Sequence, residues 1–365
     1  MSRQKRLAYL ALENPRPGQA AHTHVHAIIG ELRALGWNVS LFTAAKSGAS
    51  GRASFPVRLM SQLAAQASLL MRAARYRVVF VRGHCMAAPA ALILRLLGKT
   101  VVHEINGTTR DIVVTYPALR RLYPVFAWLD RIQHKKADHL FAVTEALARW
   151  ASDHAGHDRV SVVTNAADTA LFNPQGPKAS FDHPYVVFVG GLVRWHGIQT
   201  MLAAIDHPSW PDGVRLVIAG DGVEAPAVKA ARSDRLTYLG RQEQDAIPPL
   251  YRGALASLVT IENPEGRSDY GVMPLKLFES MACGVAVIAS DLKGQAELVR
   301  STDCGLVIPP QDPAALAETV ARLAADPSAA AAMGERGATE ALAYHSWAAR
   351  AAAIDSVLAQ IEGGR

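Results

Sequence analysis

Short apolar runs alternate with helical patterns along almost the whole chain, and this alternation constrains the fold more than any other feature of the sequence. A strand followed by a helix, repeated many times, is typical of a doubly wound parallel sheet. The chain has 365 residues and half of them are hydrophobic, so it can build more than one packed core. The sequence therefore predicts two α/β domains.

The predicted strands form two series, separated by a linker rich in proline and glycine at residues 173–177. The first series comprises residues 7–12, 38–43, 78–82, 100–104, 140–143 and 160–163. The second comprises residues 185–189, 215–219, 236–239, 256–260 and 285–289. Helices are predicted at residues 24–35, 87–97 and 346–361. We therefore expect an N-terminal domain over residues 1–173, a C-terminal domain over 174–345 and a last helical segment over 346–365.

Charge and cysteine content narrow the classes of partner and compartment. The net charge is +6 and the isoelectric point about 9.3, which favours anionic partners such as nucleotides or acidic lipids. Only this basic charge supports a nucleic-acid partner, so none is predicted. The three cysteines lack metal-ligand spacing and are expected to be buried or free thiols in a reducing compartment. Residues 7–12 are too short a run for a signal peptide and no run could span a bilayer, so we expect a cytoplasmic, soluble or peripheral protein.

Residues 273–291 carry the most informative local pattern: a loop, a short helix and a buried strand. Pro274 suits the first turn of a helix, and Gly284 suits the left-handed residue that ends one. A loop that leads into a helix N-terminus presents free backbone N–H groups, which suit an anion such as a diphosphate. Glu279 cannot bind phosphate there, but its carboxylate can accept hydrogen bonds from sugar hydroxyls. The alternative is that Glu279 lies on a solvated helix surface.

Residues 274–284 resemble the nucleotide-sugar site of glycosyltransferase family 4, which are retaining enzymes of the GT-B fold. The motif Pro-Leu-Lys-Leu-Phe-Glu is similar to that of one subgroup of the family. Weaker similarities at strand ends extend the resemblance over most of the chain, at residues 18–39, 163–174, 188–197, 216–222 and 239–241. The resemblance implies two Rossmann-like, doubly wound domains that face a cleft, with the last helix crossing back to the first domain.

The resemblance also implies the site residues. Those expected to bind the donor are Gly18, Arg194, Gly220, Leu239, Pro274, Leu275 and Glu279. Those expected to take part in catalysis are Asn106, Lys276 and His196. For Gly18, which follows the first strand beside Pro17, an ordinary turn is an equal alternative. Asn106 is expected to bond a hydroxyl of the transferred sugar, with Glu104 on the same side of its strand and His103 on the other.

The chain departs from the family pattern at three positions. The first of two family glutamates would fall on Gly271, and a family Arg–Lys pair would fall on Gly191 and His196. We therefore expect Lys276, and after it Arg194, to supply the cations that a departing diphosphate needs, with His196 donating a hydrogen bond. The alternative is that both cations are ordinary solvated charges.

Two further patterns bear on metals and membranes. His22, His24 and His26 have no metal-ligand spacing, and no metal site is predicted. Residues 120–136 predict a helix with apolar residues at helical spacing, aromatic bulk and five basic residues. One interpretation is docking to an anionic membrane surface. A core helix with a solvated basic face is slightly favoured.

The sequence thus predicts a retaining, metal-independent glycosyltransferase that uses a nucleotide-diphosphate sugar as co-substrate and needs no cofactor. The acceptor is expected to be a glycan, a lipid-linked molecule or a small molecule. Peripheral contact with the inner face of an anionic membrane is a further expectation. The alternatives are a GT-B nucleotide-sugar epimerase and a degenerate GT-B protein that binds sugars or a partner glycosyltransferase. An NAD-dependent enzyme is not expected, because no strand leads into a Gly-x-Gly-x-x-Gly turn.

Overall fold

The chain folds into two α/β units, each built on a parallel six-stranded sheet. The computed structural model describes residues 5–13, 18–44 and 55–364. Unit 1 comprises the chain up to Thr164 and again from Arg350 onward, and unit 2 comprises Asn165–Ala349. Pro17 lies outside the described residues.

Unit 1 has the strand order β2-β1-β3-β4-β5-β6. Its strands are β1 (Arg6–Ala11), β2 (Asn38–Thr43), β3 (Val78–Arg82), β4 (Thr100–Ile105), β5 (His139–Ala142) and β6 (Val160–Val162). Its helices are α1 (Ala20–Ala34), α2 (Phe55–Met71), α3 (Ala88–Leu96), α4 (Arg110–Thr115), α5 (Tyr123–Lys136) and α6 (Glu145–Ala155). Strands β3 and β4 are buried along their whole length, as expected for a sheet covered by helices on both faces.

Unit 2 has the strand order β12-β11-β10-β7-β8-β9. Its strands are β7 (Tyr185–Val189), β8 (Arg215–Ala219), β9 (Leu236–Gly240), β10 (Ala256–Val259), β11 (Ala286–Ser290) and β12 (Gly305–Ile308). Its helices are α7 (Ile198–Ile205), α8 (Ala225–Ala230), α9 (Ile247–Gly253), α10 (Leu275–Ala282), α11 (Gln295–Thr302), α12 (Pro313–Ala325) and α13 (Pro327–Tyr344). Helix α14 (Trp347–Gly363) begins in unit 2 and continues into unit 1.

The predicted strands match the structure closely. Those at residues 38–43, 78–82, 185–189 and 215–219 agree to the residue, and the other predicted strands agree within one or two residues at each end. Strand β12 was not predicted, because it is short, lies at the sheet edge and begins with a glycine. The three cysteines are buried free thiols, as expected.

The two units meet along the chain at residue 164, before the predicted boundary at 173. The reason is that the segment after residue 164 already packs within unit 2. The Asn165 side-chain N–H donates to the Met273 carbonyl at 2.7 Å, the Ala167 N–H donates to the His345 carbonyl at 2.9 Å, and Phe172 is buried in the unit 2 core.

Helix α14 returns the chain to unit 1, as the family resemblance implied. Asp355 accepts hydrogen bonds from Lys5 Nζ at 3.0 Å and from Trp37 Nε1 at 2.7 Å. Arg77 forms an ion pair with Glu362 at 3.0 Å. These contacts attach the last helix to the residues that immediately precede β1, β2 and β3 of unit 1.

The prediction of a single helix over residues 120–136 was wrong at its start. A 3-10 turn covers Pro117–Leu122, and α5 begins at Tyr123, with proline in its first turn. The buried face of α5 is also largely polar, since it consists of Phe126, Asp130, Gln133 and His134. Among the described residues, no helix is both long enough and apolar enough to cross a bilayer.

Candidate active site

The sheet of unit 2 reverses its strand order at β7, which lies between β8 and β10. In open α/β sheets, ligands bind outside the carboxyl ends of the strands at such a reversal. Gly190 follows β7 and Gly220 follows β8, so both lie at this edge. Helix α10, which carries the predicted donor motif, follows β10 in the chain and therefore reaches the same edge.

Close backbone approach explains the glycines at this edge. Gly220 has φ of 156°, and a Cβ atom on it would lie 1.9 Å from the Gly190 carbonyl oxygen. Gly190 has φ of 143°, and a Cβ atom on it would lie 3.1 Å from Lys276 Nζ. The predicted donor residue Gly220 is thus brought against Gly190, and Gly190 against Lys276. Side chains at either position would fill the space that these groups share.

Helix α10 has the predicted geometry. Pro274 is its N-cap, and Gly284, with φ of 75°, lies just beyond its last residues in the left-handed conformation. Leu275 and Lys276 are its first two residues, so their N–H groups belong to the turn that lacks partners inside the helix. This turn combines backbone donors with the positive end of the helix dipole, which favours an anion.

Lys276 is buried, with only 7% of its surface exposed. Its Nζ atom lies 3.9 Å from the centroid of the Phe188 ring, and among the described residues it has no hydrogen-bond partner. A buried ammonium without a hydrogen-bonded acceptor is costly. The solvated-charge interpretation of Lys276 is therefore inconsistent with its burial, although its role stays a prediction.

Lys276 and Glu279 influence each other. Burial lowers the pKa of Lys276 to about 7, and the nearby Glu279 carboxyl opposes this change. Burial likewise raises the pKa of Glu279 to about 7, and Lys276 opposes it. Because Glu279 lies one turn after Lys276 on α10, the two side chains are neighbours on the same side of the helix. At neutral pH their charges therefore respond readily to a bound ligand.

His196 differs from the expectation. Its Nδ1 atom lies 2.6 Å from the Gly191 carbonyl oxygen, which can only accept, so Nδ1 carries the proton. Burial, together with the positive charge of Lys276, lowers the pKa of His196 to about 3. The ring is then neutral at neutral pH, and its other nitrogen can only accept a hydrogen bond. In this state His196 does not replace the missing family cation.

The other two residues predicted to bind the donor in unit 2 lie in different environments. Arg194 is exposed in the 3-10 turn Arg194–His196, and Leu239 lies half-buried on β9. Arg267 is a cation that the sequence analysis missed. Its guanidinium lies 4.2 Å from the Trp195 ring centroid, and its charge helps to lower the pKa of His196. Only its position between two glycines of a loop could have drawn attention to it.

In unit 1, the predicted residue Asn106 belongs to a buried polar cluster centred on Glu104. The Asn106 amide donates to Glu104 at 2.5 Å, Tyr9 Oη donates at 3.1 Å, and His24 Nε2 lies 3.0 Å from the carboxylate. Arg82 Nη1 also pairs with Glu104. Burial alone would raise the pKa of Glu104, yet His24 and Arg82 hold it well below its usual range.

Three predictions for unit 1 can be compared with the structure. Asn106 and Glu104 do lie on the same side of β4, and His103 is fully buried on the other. Gly18 is exposed in a turn with φ of 82°. His24 pairs with Glu104 at 3.0 Å, and the absence of a metal site at the three histidines of α1 stays a prediction. The sequence did not associate Tyr9, His24 and Arg82, because they come from three separate elements.

Comparison with solved structures identifies the fold. Sucrose-phosphate synthase from Thermosynechococcus elongatus superposes with a TM-score of 0.82 at 19% identity, over 99% of this chain and 100% of that one. HepE from Anabaena, in complex with UDP, superposes with a TM-score of 0.72 at 18% identity, over 98% of this chain and 100% of that one. With its two parallel α/β sheets, the chain has the GT-B fold of glycosyltransferases.

Sequence comparison narrows this class. Residues 21–171 match the family described as Glycosyltransferase Family 4, and residues 183–326 match Glycosyl transferases group 1. The first half of the chain is thus similar to glycosyltransferase family 4 and the second half to glycosyl transferases group 1. The particular Pro-Leu-Lys-Leu-Phe-Glu subgroup stays a prediction.

Two curated relatives illustrate the similarity. Alpha-maltose-1-phosphate synthase of Mycolicibacterium smegmatis is 29% identical over 62% of this chain and 64% of its own length. D-inositol 3-phosphate glycosyltransferase of Acidothermus cellulolyticus is 28% identical over 57% of this chain and 50% of its own length. The chain thus spans about half to two thirds of these relatives.

Proposed function

We propose that this chain transfers a hexosyl group, with retention, from a nucleotide-diphosphate sugar to a glycan, lipid-linked or small-molecule acceptor. The observation that carries the proposal is Lys276. Its buried Nζ lies at the first turn of α10, beside Gly190 and at the reversal of strand order. A diphosphate bound there would pair with the charged Lys276 side chain and would accept hydrogen bonds from the free N–H groups of the helix.

Glu279 fits the same reaction, because its carboxylate can accept hydrogen bonds from the ribose hydroxyls. That Asn106 bonds a hydroxyl of the transferred sugar stays a prediction. The glycosidic C–O bond to the diphosphate breaks as the acceptor oxygen attacks the same face. The departing phosphate oxygen takes the acceptor proton, so the step requires no side-chain nucleophile. We propose that Lys276 and the helix dipole stabilise the diphosphate without a metal ion.

Relatives support a uridine donor as the first to test. Solved structures of HepE contain UDP and UDP-glucose, and their fold matches this chain over nearly its full length. Those ligands belong to HepE. They supply the reason for placing UDP ahead of GDP and dTDP in a binding experiment.

The test is a calorimetric titration of UDP, GDP and dTDP into the wild-type chain and into Glu279→Ala. We expect one diphosphate to bind, and Glu279→Ala to weaken it at least about tenfold, since a charged hydrogen bond contributes ~1.5–3 kcal/mol. Glu335→Ala, which changes an exposed carboxylate on α13, is the matched control and should bind as wild type does. Unchanged affinity in folded Glu279→Ala would show that Glu279 does not bind the nucleotide.

Turnover separates the proposed transferase from its rivals. The matching nucleotide sugar is incubated with and without candidate acceptors, and products are followed by mass spectrometry and NMR. Transfer that keeps the anomeric configuration supports the proposal. Isomerised donor without an acceptor would identify an epimerase, and binding without turnover across a broad acceptor panel would favour the degenerate alternative.

We also propose that unit 1 contacts an anionic membrane through an apolar surface that is rimmed by basic residues. We call it the apolar surface of unit 1, and its exposed members on α2, after α4 and on α5 are Val57, Met60, Leu63, Tyr116, Leu122, Tyr123, Val125 and Trp128. Arg58 connects the two parts, because it donates to Tyr116 Oη at 3.2 Å and lies 5.1 Å from the ring centroid. Exposed Arg120 and Arg121 add positive charge. Apolar side chains with a basic rim favour an anionic interface.

Vesicle flotation tests this contact. Wild type should float with phosphatidylglycerol vesicles and not with phosphatidylcholine vesicles. Replacement of Arg120, Arg121, Lys135 and Lys136 by Gln, or of Trp128 by Ser, should reduce the floating fraction. Val223→Ser, which changes an even more exposed apolar residue in unit 2, is the control. If the wild type never floats, a membrane is not the partner of this surface.

A further inference from the structure

Helix α5 buries polar side chains and exposes several of its apolar ones. Asp130, Gln133 and His134 are at most 6% exposed, whereas Trp128 is 59% exposed. A helix normally packs its apolar side inward. The polar side of α5 therefore faces the interior of unit 1, and these residues need partners there.

A cluster of potential metal ligands occupies this buried face. We call it the α5–α6 cluster: Asp130 and His134 of α5, and His154 of α6. One ligand atom from each of these residues lies within 4.8 Å of the others. Asp130 and His134 are one helical turn apart, with Asp130 Oδ1 and His134 Nε2 separated by 3.7 Å. His154 stacks on Trp150 at 4.6 Å, which fixes its ring.

The histidines of the cluster lack conventional partners. Within the described part of the chain, neither ring nitrogen of His134, nor Nε2 of His154, has a hydrogen-bond partner, although all three atoms are buried. His157 shows the ordinary case. Its Nδ1 accepts from the Arg159 N–H at 3.3 Å, and its Nε2 lies 3.1 Å from the His134 carbonyl oxygen. Buried nitrogens without partners call for an explanation, and an ion is one.

We propose that the α5–α6 cluster binds a divalent transition-metal ion, with Zn²⁺ the best match to two imidazoles and one carboxylate. In a tetrahedral zinc site the bonds are ~2.0–2.2 Å, so ligand atoms lie about 3.4 Å apart. The separation of Asp130 and His134 is already close to that value. A shift of about 1 Å by each ligand atom would bring the widest pair onto one ion.

The surroundings of Asp130 support this assignment. Thr109 Oγ1 donates to one carboxylate oxygen at 3.3 Å, and Gln133 Nε2 donates to the other at 3.1 Å. Hydrogen bonds of this kind orient a ligating carboxylate.

Metal binding would join α5 to α6. The same helix α5 carries Tyr123, Val125 and Trp128 of the apolar surface on its outward side. An ion held by Asp130 and His134 would therefore restrain the helix that presents this surface. The inference does not depend on the proposed transfer reaction, because none of its residues belongs to the predicted donor site.

The test measures metal content and ligand identity on the full, tag-free chain. The protein is stripped with chelator, reconstituted with Zn²⁺ or Co²⁺, and dialysed. We expect one equivalent of Zn²⁺ by mass spectrometry, a visible absorption band for the Co²⁺ form, and a higher Tm with Zn²⁺ than without. His154→Phe keeps the stacked ring shape and should lower zinc affinity at least about 100-fold, and Thr109→Val about tenfold.

A matched control and two outcomes decide the matter. His139→Gln changes a half-buried histidine of β5 whose ring bonds Ser161 at 2.8 Å, and it should bind zinc as wild type does. Less than about a tenth of an equivalent in the reconstituted wild type would overturn the proposal. So would zinc binding that is equally strong in His154→Phe and wild type.

Discussion

Each unit buries a charged side chain near the carboxyl ends of its strands, and the two units treat that charge in opposite ways. Glu104 in unit 1 is 4% exposed and has Tyr9, His24, Arg82 and Asn106 as partners. Lys276 in unit 2 is 7% exposed and, within the described residues, has no hydrogen-bond partner. Accordingly, the pKa of Glu104 is held low by His24 and Arg82 against the effect of burial, so its charge is favoured. Burial lowers the pKa of Lys276 to about 7, so its charge is disfavoured.

The difference indicates that the two buried charges have different roles. A charge whose bonds are satisfied inside the protein contributes to the fold, and removing it leaves a partner buried alone. A charge without internal partners reduces stability unless a ligand supplies the opposite charge. The comparison therefore predicts that substitutions at the two positions affect different observables.

The largest expected effect is on folding, for Glu104→Gln. Arg82 would remain buried without its principal counter-charge, and we expect the free energy of unfolding to fall by about 3–5 kcal/mol. Urea denaturation measures it. Glu13→Gln is the control, because Glu13 is 43% exposed at its side chain and lies 3.5 Å from Arg82. It should cost about 0–1 kcal/mol. Equal losses in the two variants would remove the contrast between the units.

The second effect is on catalysis, for Lys276→Met. Turnover should fall by about 100-fold or more, equivalent to ~2.7 kcal/mol of transition-state stabilisation, because a cation facing the departing diphosphate is lost. Lys276→Arg should restore only part of the rate, since a planar guanidinium does not reproduce a point charge. Steady-state kinetics with the identified donor measures both.

The control for Lys276 is Lys229→Met. Lys229 is an exposed lysine of α8, 5.9 Å from the Tyr238 ring centroid. Its substitution should leave turnover unchanged. Near wild-type turnover in Lys276→Met would transfer the role of the missing family cation to Arg194 or Arg267.

The third effect is the pH dependence of stability. Since the pKa of Lys276 is lowered to about 7 in the folded chain, the unfolded chain binds more protons from pH 7 up to the ordinary lysine pKa. Lys276 should then contribute a rise of about 1 kcal/mol in the free energy of unfolding between pH 7 and pH 8, against a smaller fall from Glu279, whose pKa is raised to about 7. In Lys276→Met this rise should be missing. Urea titrations at several pH values would show it, and parallel curves for the two proteins would contradict it.

The smallest effect is expected for His196→Asn. An asparagine amide can still donate to the Gly191 carbonyl, and the neutral ring of His196 supplies no positive charge. Turnover should therefore change by less than about threefold. A loss of tenfold or more, with unchanged nucleotide affinity, would show that His196 acts in the transition state after all.

The sequence predicted what local signals determine. The helix of the donor motif, the left-handed Gly284 and most strands follow from residues that are neighbours in the chain. The role of Lys276 was inferred from two missing family cations and stays a prediction, although the structure buries its side chain beside Gly190. The helix of this motif could be predicted because one loop and one helix carry the whole pattern.

The sequence could not predict what distant elements decide together. The partners of Glu104 come from β1, α1 and β3, and no pattern in the chain associates them. The buried side of α5 was assigned to its apolar residues, because helical periodicity alone cannot show which side tertiary packing selects. His134 and His154 became visible as a pair only when α5 and α6 were placed side by side.

Helix α14 has a consequence for the order in which the two units are completed during synthesis. Unit 2 is one continuous stretch, whereas unit 1 needs residues from both sides of it. A chain that leaves the ribosome N-terminus first can therefore finish unit 2 while unit 1 still waits for Asp355 and Glu362 to meet Lys5 and Arg77. Loss of the last residues would thus destabilise unit 1, although most of unit 1 is synthesised first.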